Sequence, residues 1–393
     1  MPNGRTVTVG VPDPTLATVA LRLHGALTPL RLAYDPDFWL GEAFMRGDLE
    51  MLEGSIYDLL MIAMVNLESR PLRKSRWPTR ALNRLIAAVQ QNNTRSRSRR
   101  NVAHHYDLSA DLYRLFLDRD MQYSCAYFTE PSMSLDEAQD AKRRHIQAKL
   151  LLEDGQRVLD IGCGWGGLAI SIAQAANVSV LGITLSTEQL AVARGRAEAL
   201  GLQDRVRFEL VDYRTLEQQF DRVVSVGMFE HVGVPQFETY FDAVARLLAP
   251  RGVALVHAIG RNRGPARPNS WIERYIFPGG HIPLLSEVML PLENSGLWLA
   301  DLEILRLHYA ETLRHWRTRY LARKDALGPR YDARFHRMFE FYLASSEASF
   351  RHGGLMVFQA QLAHALDAVP LTRDYIGAAE RSVPLSPARA AAE

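Results

Sequence analysis

The chain has 393 residues, of which 47% are hydrophobic and 23% charged, and its net charge is +2; this excludes a disordered polymer and predicts packed cores in two or three domains of about 150 residues. The longest apolar run near the N-terminus, Leu59 to Val65, has seven residues, against about 20 for a bilayer span, so no transmembrane helix is expected. Two cysteines, Cys125 and Cys163, with no CxxC pair, exclude a disulfide framework and a zinc ribbon.

The opening MPNGRTVTVG lacks an apolar h-region, so no secretory signal is expected, and a reducing cytoplasm fits the cysteine usage. Residues 1–92 read as a smaller module. It begins with VTVGVPDPTLATVALRLHGALTPLRLAY, expected to be rich in strands broken by Pro and Gly, and continues in a buried helix over Ser55–Leu67. Leu82, Leu85, Ile86 and Val89 then recur at helical spacing beside Arg80 and Arg84, an amphipathic helix. The polar run QQNNTRSRSRR closes in a basic linker at 93–100. Residues 70–100 hold ten Lys and Arg and no acid, leaving 36 basic against 44 acidic residues elsewhere. Such a band attracts the phosphates of lipid or nucleic acid, unless it is simply a solvated linker.

From 101 to about 260, strands and helices alternate. Arg157–Ile161 is a short apolar strand, followed by a glycine-rich turn and a helix to Ala176; Val178–Ile183 is a second strand. Ser186 with Gln189 three residues on is a capping-box pattern, and Gly201 stops that helix. Val206–Val211, Arg222–Val226 and Val253–Ala258 are further strands. Repeated βα units predict an α/β fold with a mostly parallel, doubly wound sheet. Residues 261–310 interrupt the pattern with aromatics, Gly and Pro; Glu311 to about Asp367 reads as mostly helical, and 381–393 as a frayed tail.

The strongest local signal is VLDIGCGWGG at 158–167. A strand ends at Asp160, and Gly162, Gly164, Gly166 and Gly167 let the backbone turn sharply and approach a ligand. A dinucleotide would call for an acid at the end of the next strand, which reads GITLS instead. The third strand ends at Asp212-Tyr213, an acid to accept from an adenine amino group and a ring to stack on it. S-adenosylmethionine is therefore favoured over NAD.

Seven segments widen this reading. HHYDLSADLYRLFLD (104–118), MQYSCAYF (121–128), LDIGCGWGG (159–167), GITLSTEQ (182–189), MFEHVG (228–233), FPGGHIP (277–283) and HYAETLRHW (308–316) together resemble, in this order, the cyclopropane-fatty-acyl-phospholipid synthase family, which is similar to the mycolic acid cyclopropane synthases. The likeness covers about 100–365, and the N-terminal module resembles the extra domain of the phospholipid-acting members. It implies a Rossmann-like class I methyltransferase domain at 101–380, with an insertion covering the acyl chain at about 261–345 and a smaller N-terminal α+β domain for lipid binding or dimerisation.

The resemblance also implies a reaction. A cis double bond of an unsaturated phospholipid acyl chain takes the methyl carbon of S-adenosylmethionine, and the carbocation loses a proton to bound bicarbonate as a cyclopropane ring closes. By motif, the bicarbonate ligands carry over to Cys125, Glu230, His281, Ile282 (through backbone) and Tyr309. Tyr123 and Ser124 carry over to the methionine part, Gly162 and Gly164 line it through backbone, Thr184, Leu185 and Gln189 sit at the ribose, and Tyr213 and Arg214 flank adenine. Gln189 replaces the usual acid. Phe229, Tyr275, Phe277, Tyr309 and Trp316 are candidates to stabilise the cation through their ring faces. No metal is implied. The implied setting is cytoplasmic, peripheral on the inner membrane face, with the basic band touching anionic lipid, a homodimer, and no nucleic-acid partner. The alternatives are a fatty-acyl C-methyltransferase making methyl-branched or methylene lipids, a small-amine N-methyltransferase, and a non-catalytic lipid- or nucleic-acid-binding protein with an inert donor site.

Overall fold

A computed structural model describes residues 6–69, 110–262 and 269–382. The basic band, the helix expected around Leu82–Val89 and the linker at 93–100 lie outside the described residues, as do residues 104–109 of the first motif and most of the tail.

The N-terminal module is β1 (Ala20–Leu23), α1 (Thr28–Tyr34), α2 (Pro36–Arg46), β2 (Leu49–Glu53) and α3 (Ile56–Ser69), with β1 and β2 paired antiparallel. The stretch at 7–34, expected to be rich in strands, holds only the short strand β1 and helix α1 and is otherwise irregular. Pro29 stands in the first turn of α1, and just beyond the stretch Pro36 opens α2, where the Asp35 carboxylate accepts from Phe38 N at 3.3 Å. The helix expected at Ser55–Leu67 is α3, held at its start by the Asp58 carboxylate, which accepts from Ser55 N at 2.8 Å.

Next come α4 (Ala110–Phe116), α5 (Leu135–Leu150), β3 (Arg157–Ile161), α6 (Gly167–Ala175), β4 (Ser179–Thr184), α7 (Thr187–Ala199), β5 (Val206–Leu210), β6 (Phe220–Val226), α8 (Phe237–Leu247) and β7 (Leu248–Arg261). The chain continues in α9 (Ser270–Tyr275), α10 (Leu285–Asn294), β8 (Trp298–Leu305), α11 (His308–Arg323), α12 (Ala333–His352), β9 (Leu355–Ala363) and α13 (Asp374–Ser382). One seven-stranded sheet runs β5-β4-β3-β6-β7-β9-β8. The pairs from β5 to β7 are parallel, as the βα repeats predict; β9 joins β7 and β8 antiparallel. β3 is buried from Val158 to Ile161 because helices cover both faces of the sheet.

Two expectations give way here. Residues 355–363 are strand β9 rather than a continuation of the helical tail, and 298–305 form β8 within the segment read as an interruption. The cause is visible in β9. Gln359 and Gln361 are buried and bonded, Gln359 Oε1 accepting from Lys149 Nζ at 2.8 Å and Gln361 Nε2 donating to Tyr375 Oη at 2.8 Å. Buried polar partners let an inner strand carry glutamines, which hides its pattern.

The N-terminal module joins the main core rather than standing apart: Ala43, Phe44, Met45, Leu49, Ile56 and Leu60 share one apolar cluster with Phe339, Phe341 and Leu343 of α12. On the other side, α13 closes on α5. His145 bonds Glu303 of β8 and Glu380 of α13, each at 2.7 Å, and Lys149 also reaches Glu303. Among the described residues, no helix is long and apolar enough to cross a membrane.

Candidate functional site: a glycine-loop cavity and a buried acid

At the C-terminal end of β3 the chain turns through glycines. Gly162 has φ +81°, and a Cβ there would stand 2.9 Å from Met228 Cγ. Gly166 has φ +82°, and its Cβ would meet Phe208 at 2.7 Å and Ala193 at 2.9 Å. Both positions need glycine for shape as well as backbone freedom.

Tyr123, Ser124, Asp160, Gly162, Gly164, Thr184, Leu185, Gln189, Asp212, Tyr213 and Arg214, dispersed over ninety residues of sequence, line one cavity above β3, β4 and β6. Gly166 does not line it; it serves the packing of α6 on α7 and β5. Gly167 is a tighter case, since a Cβ would fall 2.3 Å from Asp120 Oδ2 and 2.5 Å from Gln122 Nε2. We expect Gly167→Ala to destabilise the fold by about 1–3 kcal/mol through overpacking, measured by urea unfolding; an unchanged midpoint would show that the Asp120 cluster yields freely.

The polar atoms of the cavity are specifically arranged. Asp160 is buried, its Oδ2 has no hydrogen-bond partner among the described residues, and burial pushes its carboxyl up to about 7. Ser186 Oγ caps α7 by accepting from Gln189 N at 3.3 Å, but the Gln189 side chain does not complete a capping box; its Oε1 accepts from Thr184 Oγ1 at 2.8 Å. Asp212 is clamped by Arg214, whose Nε and Nη2 donate at 2.8 and 2.6 Å, and the guanidinium lies 5.5 Å from the Tyr213 ring centre.

The other predicted residues fall in two groups. Glu230 is buried; its Oε1 accepts from Ile259 N at 2.6 Å, while Oε2 has no partner among the described residues. Burial pushes this carboxyl up to about 7. His281 N donates to the Glu230 carbonyl at 3.1 Å, His281 Nε2 lies 3.2 Å from Glu287 Oε2, and the Ile282 carbonyl accepts from Arg261 Nε at 2.8 Å. The second group holds Cys125 and Tyr309. Cys125 is buried, burial pushes its thiol up, and Sγ donates to the Ala126 carbonyl at 3.3 Å. Its neighbour Ala126 N donates to Thr312 of α11 at 3.0 Å, one turn on from Tyr309. Tyr309 packs edge-on to Trp316, which stacks on Tyr123 at 5.1 Å.

An aromatic bridge spans the groups: Tyr123 Oη and Tyr342 Oη are 2.7 Å apart, Tyr342 meets Phe277, and Phe277 meets His231, which lines the cavity. Phe277, Tyr309 and Trp316 therefore stand near the cavity. Phe229 and Tyr275 do not: Phe229 is enclosed by Phe237, Tyr240 and Phe241, and Tyr275 donates to Glu42 of α2 at 2.8 Å.

Gln122, His231 and Lys142 were not anticipated. Gln122 and His231 sit inside the quoted motifs, and burial pushes His231 down to about 4. Lys142 had a weaker signal: it falls on the buried stripe of α5 with Ala138, His145 and Lys149.

Residues 93–360 match the family model described as mycolic acid cyclopropane synthetase. The chain is 41% identical over 284 residues to the cyclopropane-fatty-acyl-phospholipid synthase of Escherichia coli (strain K12), covering 72% of this chain and 73% of that protein. It is 37% identical over 373 residues to the tuberculostearic acid methyltransferase of Mycobacterium tuberculosis, covering 89% of this chain and 84% of that one. Among solved structures it is similar to the cyclopropane synthase MmaA2 of Mycobacterium tuberculosis, with a TM-score of 0.65 and 33% identity over 67% of this chain and 98% of that chain. With the glycine loop, the parallel sheet and these likenesses in agreement, the chain belongs to the mycolic acid cyclopropane synthetase family, S-adenosylmethionine-dependent lipid methyltransferases that cyclopropanate or methyl-branch, built on the Rossmann-like class I fold with a smaller N-terminal α+β domain.

Proposed function

We propose that this enzyme transfers the methyl carbon of S-adenosylmethionine to a cis double bond of an unsaturated phospholipid acyl chain and closes a cyclopropane ring, with bound bicarbonate as the base. The observation that carries the reading is Glu230, a buried carboxylate with one oxygen fixed by Ile259 and the other without a partner among the described residues, next in the chain to His231, which lines the glycine-loop cavity. When bound, S-adenosylmethionine supplies an electrophilic methyl carbon and bicarbonate a base that water cannot outcompete.

The residues present fit both groups. Asp160 offers a buried oxygen suited to an ammonium. Gln189, its carbonyl committed to Thr184, keeps its amide nitrogen for ribose hydroxyls. Tyr213 offers a face to a purine, whose amino group would share Asp212 with Arg214. Glu230 Oε2 is an acceptor suited to an O–H, and the His281 and Tyr309 side chains are donor types.

An alkene has no acidic proton, so attack needs alignment and a dry site rather than a base. Tyr123, Trp316, Tyr309 and Phe277 exclude water, and each ring face would stabilise positive charge by about 0.5–2 kcal/mol. Cys125, neutral and hydrogen-bonded to backbone, takes no covalent part. Contact with an anionic membrane face is assigned to the basic band at 70–100, and a homodimer is the expected assembly.

The 37% identical tuberculostearic acid methyltransferase, matched along most of this chain, favours a second reading, a fatty-acyl C-methyltransferase making methyl-branched or methylene lipids. Expression in a host lacking such activity, with labelled methyl donor and mass spectrometry of membrane lipids, separates the two. A ring adds CH2 and leaves no alkene to hydrogenate, which is the expected result; a methylene product still takes up hydrogen, and a saturated methyl branch is two hydrogens heavier. Unlabelled lipids would overturn both.

A further inference from the structure

Lys142 is 0% exposed, beneath the cavity floor on α5. Its Nζ donates to Ser124 Oγ at 2.9 Å and to Gln122 Oε1. Both acceptors are neutral, and both line the cavity. Acids compensate its charge through space rather than by a direct bond: Asp118 accepts from the backbone N–H groups of Asp120 and Gln122 at 2.9 and 2.8 Å, Asp120 is bound by Arg143, Arg196 and Gln122 Nε2, and Asp160 lies on the cavity wall. With only neutral groups as direct partners among the described residues, the ammonium keeps charge to act on a further anion held in the cavity.

The direction of these bonds adds a second constraint. An ammonium only donates. Ser124 Oγ therefore accepts from Lys142, and its own hydroxyl proton is left to point elsewhere, with the cavity on its open side. Gln122 is likewise fixed, with its oxygen on Lys142 and its nitrogen on Asp120 Oδ2 at 2.8 Å. Asp160, with its unpartnered oxygen, lines the same cavity. A positive charge behind Ser124 and a negative group on the wall match the carboxylate and ammonium of an α-amino acid.

We propose that Lys142 is a positioning residue that turns Ser124 into a hydrogen-bond donor and supplies the charge complementary to the carboxylate at the amino-acid end of the methyl donor. This rests on the reading of the cavity as the donor site. The test is calorimetry on the full chain with two probes: S-adenosylhomocysteine, which keeps the amino-acid end, and 5′-methylthioadenosine, which lacks it. In Lys142→Met, S-adenosylhomocysteine affinity should fall about 10- to 100-fold, the range for a hydrogen bond to a charged group, with 5′-methylthioadenosine changed by less than about twofold. Ser124→Ala, which keeps the lysine, should show the same selectivity with a smaller loss, and carries the test if Lys142→Met does not fold. Equal losses for both probes, or no loss, would overturn the proposal. Failure of the unaltered chain to bind S-adenosylhomocysteine would instead overturn the donor-site reading, and this proposal with it.

Discussion

Glu230→Gln should lower methyl transfer to unsaturated phospholipid vesicles by about 10²- to 10⁴-fold, the range for losing a positioned acid–base group, while S-adenosylhomocysteine binding stays within about twofold. The substitution keeps the side chain's shape and its bond from Ile259, and removes only the ability of Oε2 to ionise and accept strongly from an O–H. The pH profile sharpens the test. Burial raises this carboxyl from 4.5 to about 7, so if the ionised form is required, turnover rises with pH through about 7, and that limb disappears in the variant. The stability effect has the opposite sign. The folded state holds the Glu230 proton more tightly than the unfolded state, so this residue's contribution falls as pH rises from 4.5 to about 7. A variant with unaltered turnover would remove Glu230 from the reaction.

The second large effect concerns residues outside the cavity lining. Lys149 is 0% exposed and pairs with Glu303, which also accepts from His145. Glu303→Leu leaves that buried ammonium with Asp301 at 3.8 Å and Gln359. We expect a loss of about 3–5 kcal/mol in chemical denaturation, because a buried ammonium stripped of its nearest counter-ion and left with only the more distant Asp301 costs more than the pair contributed. The double variant Glu303→Leu with Lys149→Met should recover most of it, and a single variant within about 1 kcal/mol of the parent would contradict the account. Two pH windows follow. The Lys149 and His145 charges hold Glu303 well below the usual carboxylate range, so its contribution persists until strong acid. Hydrogen bonds donated to Glu303 and Glu380 outweigh burial and raise the His145 imidazole, so its contribution is complete below the unfolded value of 6.5 and fades as pH rises through the higher folded value.

Why some elements could be read and others not is clear from particular residues. β3 was legible because an apolar run ends in glycines and both sheet faces are covered. β9 is not, since Gln359 and Gln361 break its apolar pattern and find their partners in Lys149, His257 and Tyr375, which only packing brings to the strand. In the N-terminal module, Pro29 reads as punctuation between strands, whereas it stands in the first turn of helix α1. The candidate site shows the same division. Most of the cavity residues are legible because they sit in short motifs, the glycine turn after β3 and the ends of β4 and β5 among them. Lys142 was passed over because a lysine on a charged helix looks like surface until the helix is packed.

The order of residues along the chain was enough to specify the glycine turn, the parallel strands that carry it and the motif positions, because these depend on local backbone geometry and on apolar runs of fixed period. Packing alone decided which side chains became neighbours and in what state. It separated Phe229 from the bridge that Phe277, Tyr309 and Trp316 join, enclosed Lys142 beneath Ser124, and left one oxygen of Glu230 dry and without a partner. Desolvation and hydrogen-bond direction are properties of a three-dimensional surrounding, and no spacing of residues encodes them.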